Sequence, residues 1–267
     1  MRKRDWMFWA GAAYLVLLVL GAILVPIFGP AYTEEVGPKF EPPGAKYWFG
    51  TDELGRDVFA RVMYGARVSL FIGITVQLIA LAVGITVGVL GVFAPKWFRV
   101  PLMRFTDGMF AFPDLLLAVL LIAVFGMGVQ PVIAALAITH WPAMARLVQT
   151  QTASLKDREF VTAARALGGS TAYVAIRHIL PQMWGVVLAV AMVDLAATIL
   201  SESTLSFLGI GVQAPEPSWG SMIMRARANM QSHPEMLLWP CLILSATIFA
   251  LNFVGDGLRA ALDPRSK

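Results

Sequence analysis

Two long stretches without a charged residue limit what this chain can fold into. No Asp, Glu, Lys or Arg occurs between Asp5 and Glu34, and the run from Val68 to Pro95 is equally free of them. A helix of about 20 apolar residues crosses the roughly 30 Å hydrocarbon layer of a bilayer. Within that layer the backbone must satisfy its own hydrogen bonds, which favours helices for runs of this length. Composition agrees: hydrophobic residues make up 58% of the chain and charged ones 14%, against roughly 45–50% and 25% in soluble globular proteins. The expected fold class is an all-α polytopic membrane protein.

Six spans are expected, at about 6–28, 69–93, 105–125, 131–148, 183–207 and 236–254, in a single permease-like domain over residues 1–267. The first lacks a clear small-residue cleavage site and reads as an uncleaved anchor rather than a signal peptide. Gly84, Gly88 and Gly91 keep one face of the second span thin for a neighbouring helix. Segments 29–67 and 208–235 are polar connections. In the first, Thr51 or Asp52 can cap a helix that places Leu54, Val58, Val62 and Val68 on one face, with Arg56, Arg61 and Arg67 touching lipid headgroups.

Six crossings put both termini on one side. Fourteen Lys and Arg residues fall in the termini, 94–104 and 146–181, and seven in 29–67 and 208–235. Basic residues are retained on the inner face, so the termini and the 146–181 connection are expected in the cytoplasm. The pI near 9.4 follows from these scattered residues, and no basic face points to nucleic acid. The lone cysteine, Cys241, excludes an internal disulfide and a CxxC pair.

One polar stretch has helical character. Residues 159–167 are helix formers, Gly168-Gly169 breaks the run, and 170–180 form a second short helix that Pro181 is expected to close. Thr162-Ala163-Ala164, Gly168 and Ile179-Leu180-Pro181 resemble the coupling motif of ABC importer permeases, which has Glu-Ala-Ala, then a Gly four residues on, then Leu-Pro. Thr162 stands where the generic pattern has Glu, and His178 where it has Ile. Three more stretches resemble the second permease subunit of the dipeptide, oligopeptide and nickel class. These are Gly50-Thr-Asp-Glu-Leu-Gly-Arg-Asp57 with Tyr64-Gly-Ala-Arg-Val-Ser-Leu70, Ser206-Phe-Leu-Gly-Ile-Gly-Val-Gln213 through Pro217-Ser-Trp-Gly220, and Asn252-Phe-Val-Gly-Asp-Gly-Leu-Arg259 with Leu262-Asp-Pro-Arg265.

The resemblance implies a type I ABC importer permease fold in a bacterial or archaeal cytoplasmic membrane. The implied partners are a second homologous permease, two cytoplasmic ATP-binding subunits and an extracytoplasmic solute-binding protein. The solute would be a di- or oligopeptide, with nickel or another small solute as the alternative. Glu159, Thr162, Ala163, Ala164, Gly168, Ile179, Leu180 and Pro181 would couple the chain to the ATPases. The sequence has no phosphate-cradling Gly-x-x-x-x-Gly-Lys-Ser/Thr loop, so no cofactor is expected on this chain, and ATP with its Mg belongs to the partners.

Carboxylates in apolar runs cost on the order of 2.5 kcal/mol or more unless they face protein or water. Asp107, Asp114, Asp194 and Glu202 are such residues. Asp194 and Glu202 either line a translocation path and meet a substrate's amino group or cation, or tie helices together by hydrogen bonds. An ion-driven secondary transporter would carry similar carboxylates, but no inverted repeat is visible. His140, His178 and His233 fall into no catalytic constellation, so the chain is not read as an enzyme.

Overall fold

The computed structural model describes residues 3–262. Arg2 and the tail motif residues Asp263, Pro264 and Arg265 lie outside the described residues. The described chain is helical, with only two isolated bridges, Glu35 to Arg56 and Thr51 to Asp57. Helix α1 is Lys3–Phe28, α2 Val58–Phe93, α3 Lys96–Met109, α4 Asp114–Phe125 and α5 Val129–Leu155. Then follow α6 Glu159–Ala166, α7 Thr171–Val174, a π turn Ala175–Ile179, α8 Leu180–Phe207, α9 Trp219–Ala226 and α10 Glu235–Leu262. Five helices are long and apolar enough to cross a membrane, and the bent pair α3 and α4 makes a sixth crossing if counted as one.

The thin face of α2 is used as expected. A Cβ on Gly84 would come within 2.7 Å of the Met144 side chain, and one on Gly88 within 2.6 Å of Val148, so α2 and α5 approach more closely than any larger residue permits. At the other side of the bundle, α1 packs along α10, where the Tyr14 hydroxyl donates to the Ile243 carbonyl at 3.0 Å.

Several expectations need correction. The interfacial helix and the second span are one helix, and α2 runs 36 residues from Val58, about 54 Å at 1.5 Å per residue. Its cap is Asp57, not Thr51 or Asp52. The Asp57 carboxylate accepts from the N–H groups of Phe59 at 2.8 Å and Ala60 at 3.4 Å, and Leu54 lies before the helix. Thr51 and Asp52 are instead buried organisers of the preceding segment. Thr51 donates to the Pro38 carbonyl and accepts from the Glu41 N–H. Arg56 and Arg61 do not reach headgroups: both are buried and converge on Asp52 Oδ2, at 2.7 and 3.3 Å. Arg67 alone of the three is exposed.

The third span is not one straight helix. α3 and α4 meet at a bend of 94° across the short connection containing Pro113, which has no N–H to continue a helix. Pro181 does not close the second short helix either. The π turn ends with the Leu180 N–H bonded to the Ala175 carbonyl, and the chain passes through Pro181 into α8, so 171–207 is continuous. A π turn locally resets the hydrogen-bond register, which lets a proline enter without breaking the helix.

The connections define two ends of the bundle. At one end Phe49 stacks on Trp239 with centroids 4.0 Å apart, Phe40 stacks on His233 at 4.1 Å, and the Trp219 indole N–H donates to the Val62 carbonyl at 3.1 Å. The 29–57 and 208–234 connections are therefore packed together. At the other end, the Arg165 guanidinium lies 5.5 Å from the Phe93 ring centre, joining α6 to the far end of α2.

Candidate coupling element and translocation cavity

The polar stretch folds as a short, rigid hairpin of helices. α6 ends in paired backbone bonds from Gly168 N–H to the Arg165 carbonyl at 2.9 Å and from Gly169 N–H to the Ala164 carbonyl at 3.0 Å, a Schellman closure. It requires a left-handed residue, and Gly168 has φ +85° with open space around its α-carbon. Gly169 is small for a different reason, since a Cβ there would sit 2.7 Å from the Ala164 carbonyl oxygen. The Ser170 hydroxyl then accepts from the Tyr173 N–H at 3.2 Å and starts α7.

The sequence-derived residues divide into two sets. Ile179 is fully buried, in one cluster with Val161, Val174, Met183 and Val148, and this cluster fixes the hairpin to α5 and α8. Glu159, Thr162, Ala163, Gly168 and Pro181 are exposed, while Ala164 and Leu180 are half-buried. The Thr162 hydroxyl is turned back to the Arg158 carbonyl at 3.4 Å. Sequence reading missed the two most prominent apolar groups of this surface, Leu167, 90% exposed, and Ile176, 66% exposed. Their signal was present as large apolar side chains in a polar segment, on either side of the glycine pair.

The structure separates the two candidate path carboxylates. Glu202 is wholly buried. Ser69 and Ser206 each donate to it at 2.8 Å, and Ser203 lies at 3.3 Å. Its surroundings match the helix-tying role. Ser206 also accepts from the Val212 N–H at 3.0 Å, which folds the Ser206–Gln213 motif back onto α8.

Asp194 lines a cavity of about 210 Å³ with Asp114, His140, Thr139, Ser201 and Phe110. No Lys or Arg lines it, and among the described residues no hydrogen bond or ion pair engages the Asp194 carboxylate. His140 Nδ1 lies 3.0 Å from the Leu136 carbonyl, which can only accept. The Thr139 hydroxyl lies at the same 3.0 Å from Nδ1, so this ring nitrogen is held between two oxygens. Asp114 and His140 in this cavity were not singled out together in the sequence, because the 94° bend is what brings the start of α4 against α5. Asp107 faces elsewhere, in an ion pair with Arg146. The cavity can receive a cationic donor such as an ammonium group.

Comparison with known proteins agrees with this architecture. The family model described as "Binding-protein-dependent transport system inner membrane component" matches residues 58–267. The chain is 39% identical over 268 residues to the glutathione transport system permease protein GsiD of Escherichia coli O6:K15:H31, covering 99% of this chain and 88% of that protein. It is 37% identical over 258 residues to the dipeptide transport system permease protein DppC of Alkalihalophilus pseudofirmus, covering 94% and 85%. In structure it is similar to a chain of the inward-facing MetNI methionine ABC transporter, with a TM-score of 0.60, 16% identity, and coverage of 76% of this chain and 96% of that one. The permease fold expected from the resemblance is the one observed.

Proposed function

The chain belongs to the family of binding-protein-dependent transport system inner membrane components, and we propose that it forms one half of the path of an ATP-driven importer for short peptides or peptide-like solutes with a free amino group. The observation that carries this reading is the near full-length likeness to relatives named for glutathione and dipeptide transport. The cavity around Asp194 and Asp114 supports it, since two carboxylates with no cation among the lining residues suit an ammonium. A second permease completes the path, and a solute-binding protein delivers the ligand at the end formed by 29–57 and 208–234. Two ATP-binding subunits dock on the Glu159–Pro181 surface, where the exposed Leu167 and Ile176 meet the partner. The balance of fourteen basic residues to seven supports a cytoplasmic location for that surface and both termini.

Uptake in cells that express the chain with its partner subunits tests the solute. Labelled dipeptide or glutathione should accumulate in an ATP-dependent manner. Accumulation of nickel with no peptide uptake would overturn the peptide reading. Sidedness is tested separately by Thr171→Cys, which an impermeant thiol reagent should leave unmodified in intact cells.

A further inference from the structure

A basic cavity of about 260 Å³ opens at the coupling end between α2, α3 and α5, and the transport reading makes no use of it. Arg99, Arg104, Asp107 and Gln149 form its polar wall, and Gly91 and Met103 its floor. Asp107 is already paired with Arg146, which also donates to Gln149 Oε1 at 2.8 Å. The two arginines of the cavity are therefore not neutralised by it. Arg99 is held in place by a 3.1 Å bond to the Val92 carbonyl, and Arg104 has no ion pair among the described residues. Both arginines come from α3, which also exposes Trp97, Phe98, Val100 and Phe105. α3 is the charged half of the bent α3–α4 pair and turns 94° from the apolar α4. Basic and aromatic residues on a short helix beside membrane-crossing helices are the composition of an interfacial helix.

We propose that this cavity binds the phosphate of an anionic phospholipid. The lipid is preferred over free phosphate because the exposed aromatic side chains of α3 adjoin the arginines and suit the acyl chains of the same molecule. Placing that lipid in the cytoplasmic leaflet rests on the sidedness proposed above.

Native mass spectrometry of the full-length chain in detergent, titrated with phosphatidylglycerol, phosphatidylcholine or inorganic phosphate, tests this. A retained phosphatidylglycerol adduct is expected, with phosphatidylcholine held weakly. The double variant Arg99→Gln with Arg104→Gln should bind phosphatidylglycerol about tenfold more weakly. The control Lys39→Gln with Lys46→Gln removes the same charge from two exposed positions at the opposite end of the bundle and should bind as the parent does. Equal retention of the two lipids, or equal loss in both double variants, overturns the site. Displacement by an equal concentration of inorganic phosphate overturns the lipid as occupant. Detergent has no leaflets, so these outcomes are independent of sidedness. Labelling of Lys96→Cys from outside intact cells would overturn the leaflet assignment alone.

Discussion

Ser69 on α2 donates a 2.8 Å hydrogen bond to Glu202 on α8 in a site with no solvent access, joining residues 133 positions apart. With Ser206 and Ser203 also directed at the carboxyl group, Glu202 ties α8 to α2 and to the returning 208–212 loop. Removing a buried hub strands every group bonded to it, at about 1–3 kcal/mol for each unsatisfied polar group. Glu202→Ala should therefore lower the thermal unfolding temperature of the purified protein far more than Ser69→Ala, which removes one bond worth about 1 kcal/mol. Similar losses for the two variants would show that Glu202 is not the hub.

Asp52 has the same position in the 29–57 segment. Its carboxylate accepts from the backbone N–H of Leu54 at 2.9 Å and Arg56 at 3.0 Å, and meets the side chains of Arg56 and Arg61. Breaking a buried ion pair on one side leaves an uncompensated charge, typically at a cost of about 3–5 kcal/mol. Asp52→Ala should loosen the segment and expose it to limited proteolysis, whereas Arg67→Ala at an exposed position should not. Unchanged protease resistance of Asp52→Ala would refute this arrangement.

The spans were legible in the sequence because a bilayer imposes one strong rule, a long apolar run without charge. Gly84 and Gly88 were legible for a related reason, since small residues at helical spacing in such a run serve close approach. The Gly168 break was also readable, because a left-handed C-terminus is a local property of the chain. The roles of Thr51, Asp52, Arg56 and Arg61 were not, since they depend on a network that spans residues 32–61 and closes only when the segment folds. Hydropathy along the chain carries no direction, so it cannot register the 94° turn between α3 and α4 that splits the run read as one span over 105–125. The same turn forms the cavity that Asp114, His140 and Asp194 share, so that grouping was hidden as well.

If that cavity receives the substrate as proposed, an ammonium at Asp194 would form a charge-assisted hydrogen bond worth about 1.5–3 kcal/mol. Asp194→Asn keeps the shape and removes the charge, so the KM for uptake of a dipeptide should rise about tenfold or more while the protein stays assembled with its partners. An N-acetylated dipeptide, which lacks the ammonium, should be transported no worse by the variant than by the parent. An equal fall for both solutes would place Asp194 outside substrate recognition.

The last prediction concerns the surface proposed to receive the ATP-binding subunits. Gly168 has open space for a side chain but φ +85°, so Gly168→Ala strains the backbone by about 1 kcal/mol without a clash. Gly168→Phe adds a bulky ring to the exposed turn next to Leu167 and should keep the partner from seating. Gly169→Ala acts through the interior, pushing a Cβ toward the Ala164 carbonyl and distorting the end of α6. Leu167→Asp replaces a side chain that is 90% exposed, so it should leave this chain's own folding intact yet weaken docking by placing a charge in an apolar contact. Thr162→Glu restores the residue type of the generic motif at an exposed position and should be tolerated, and Thr162→Ala should cost little, since only a 3.4 Å bond to the Arg158 carbonyl is lost. Uptake measured alongside pull-down of the ATP-binding subunits separates these cases. Leu167→Asp and Gly168→Phe should lose both uptake and recruitment while still pairing with the second permease. If both variants recruit the ATPases fully and transport normally, the Glu159–Pro181 hairpin is not the coupling surface and serves only as a connection between α5 and α8.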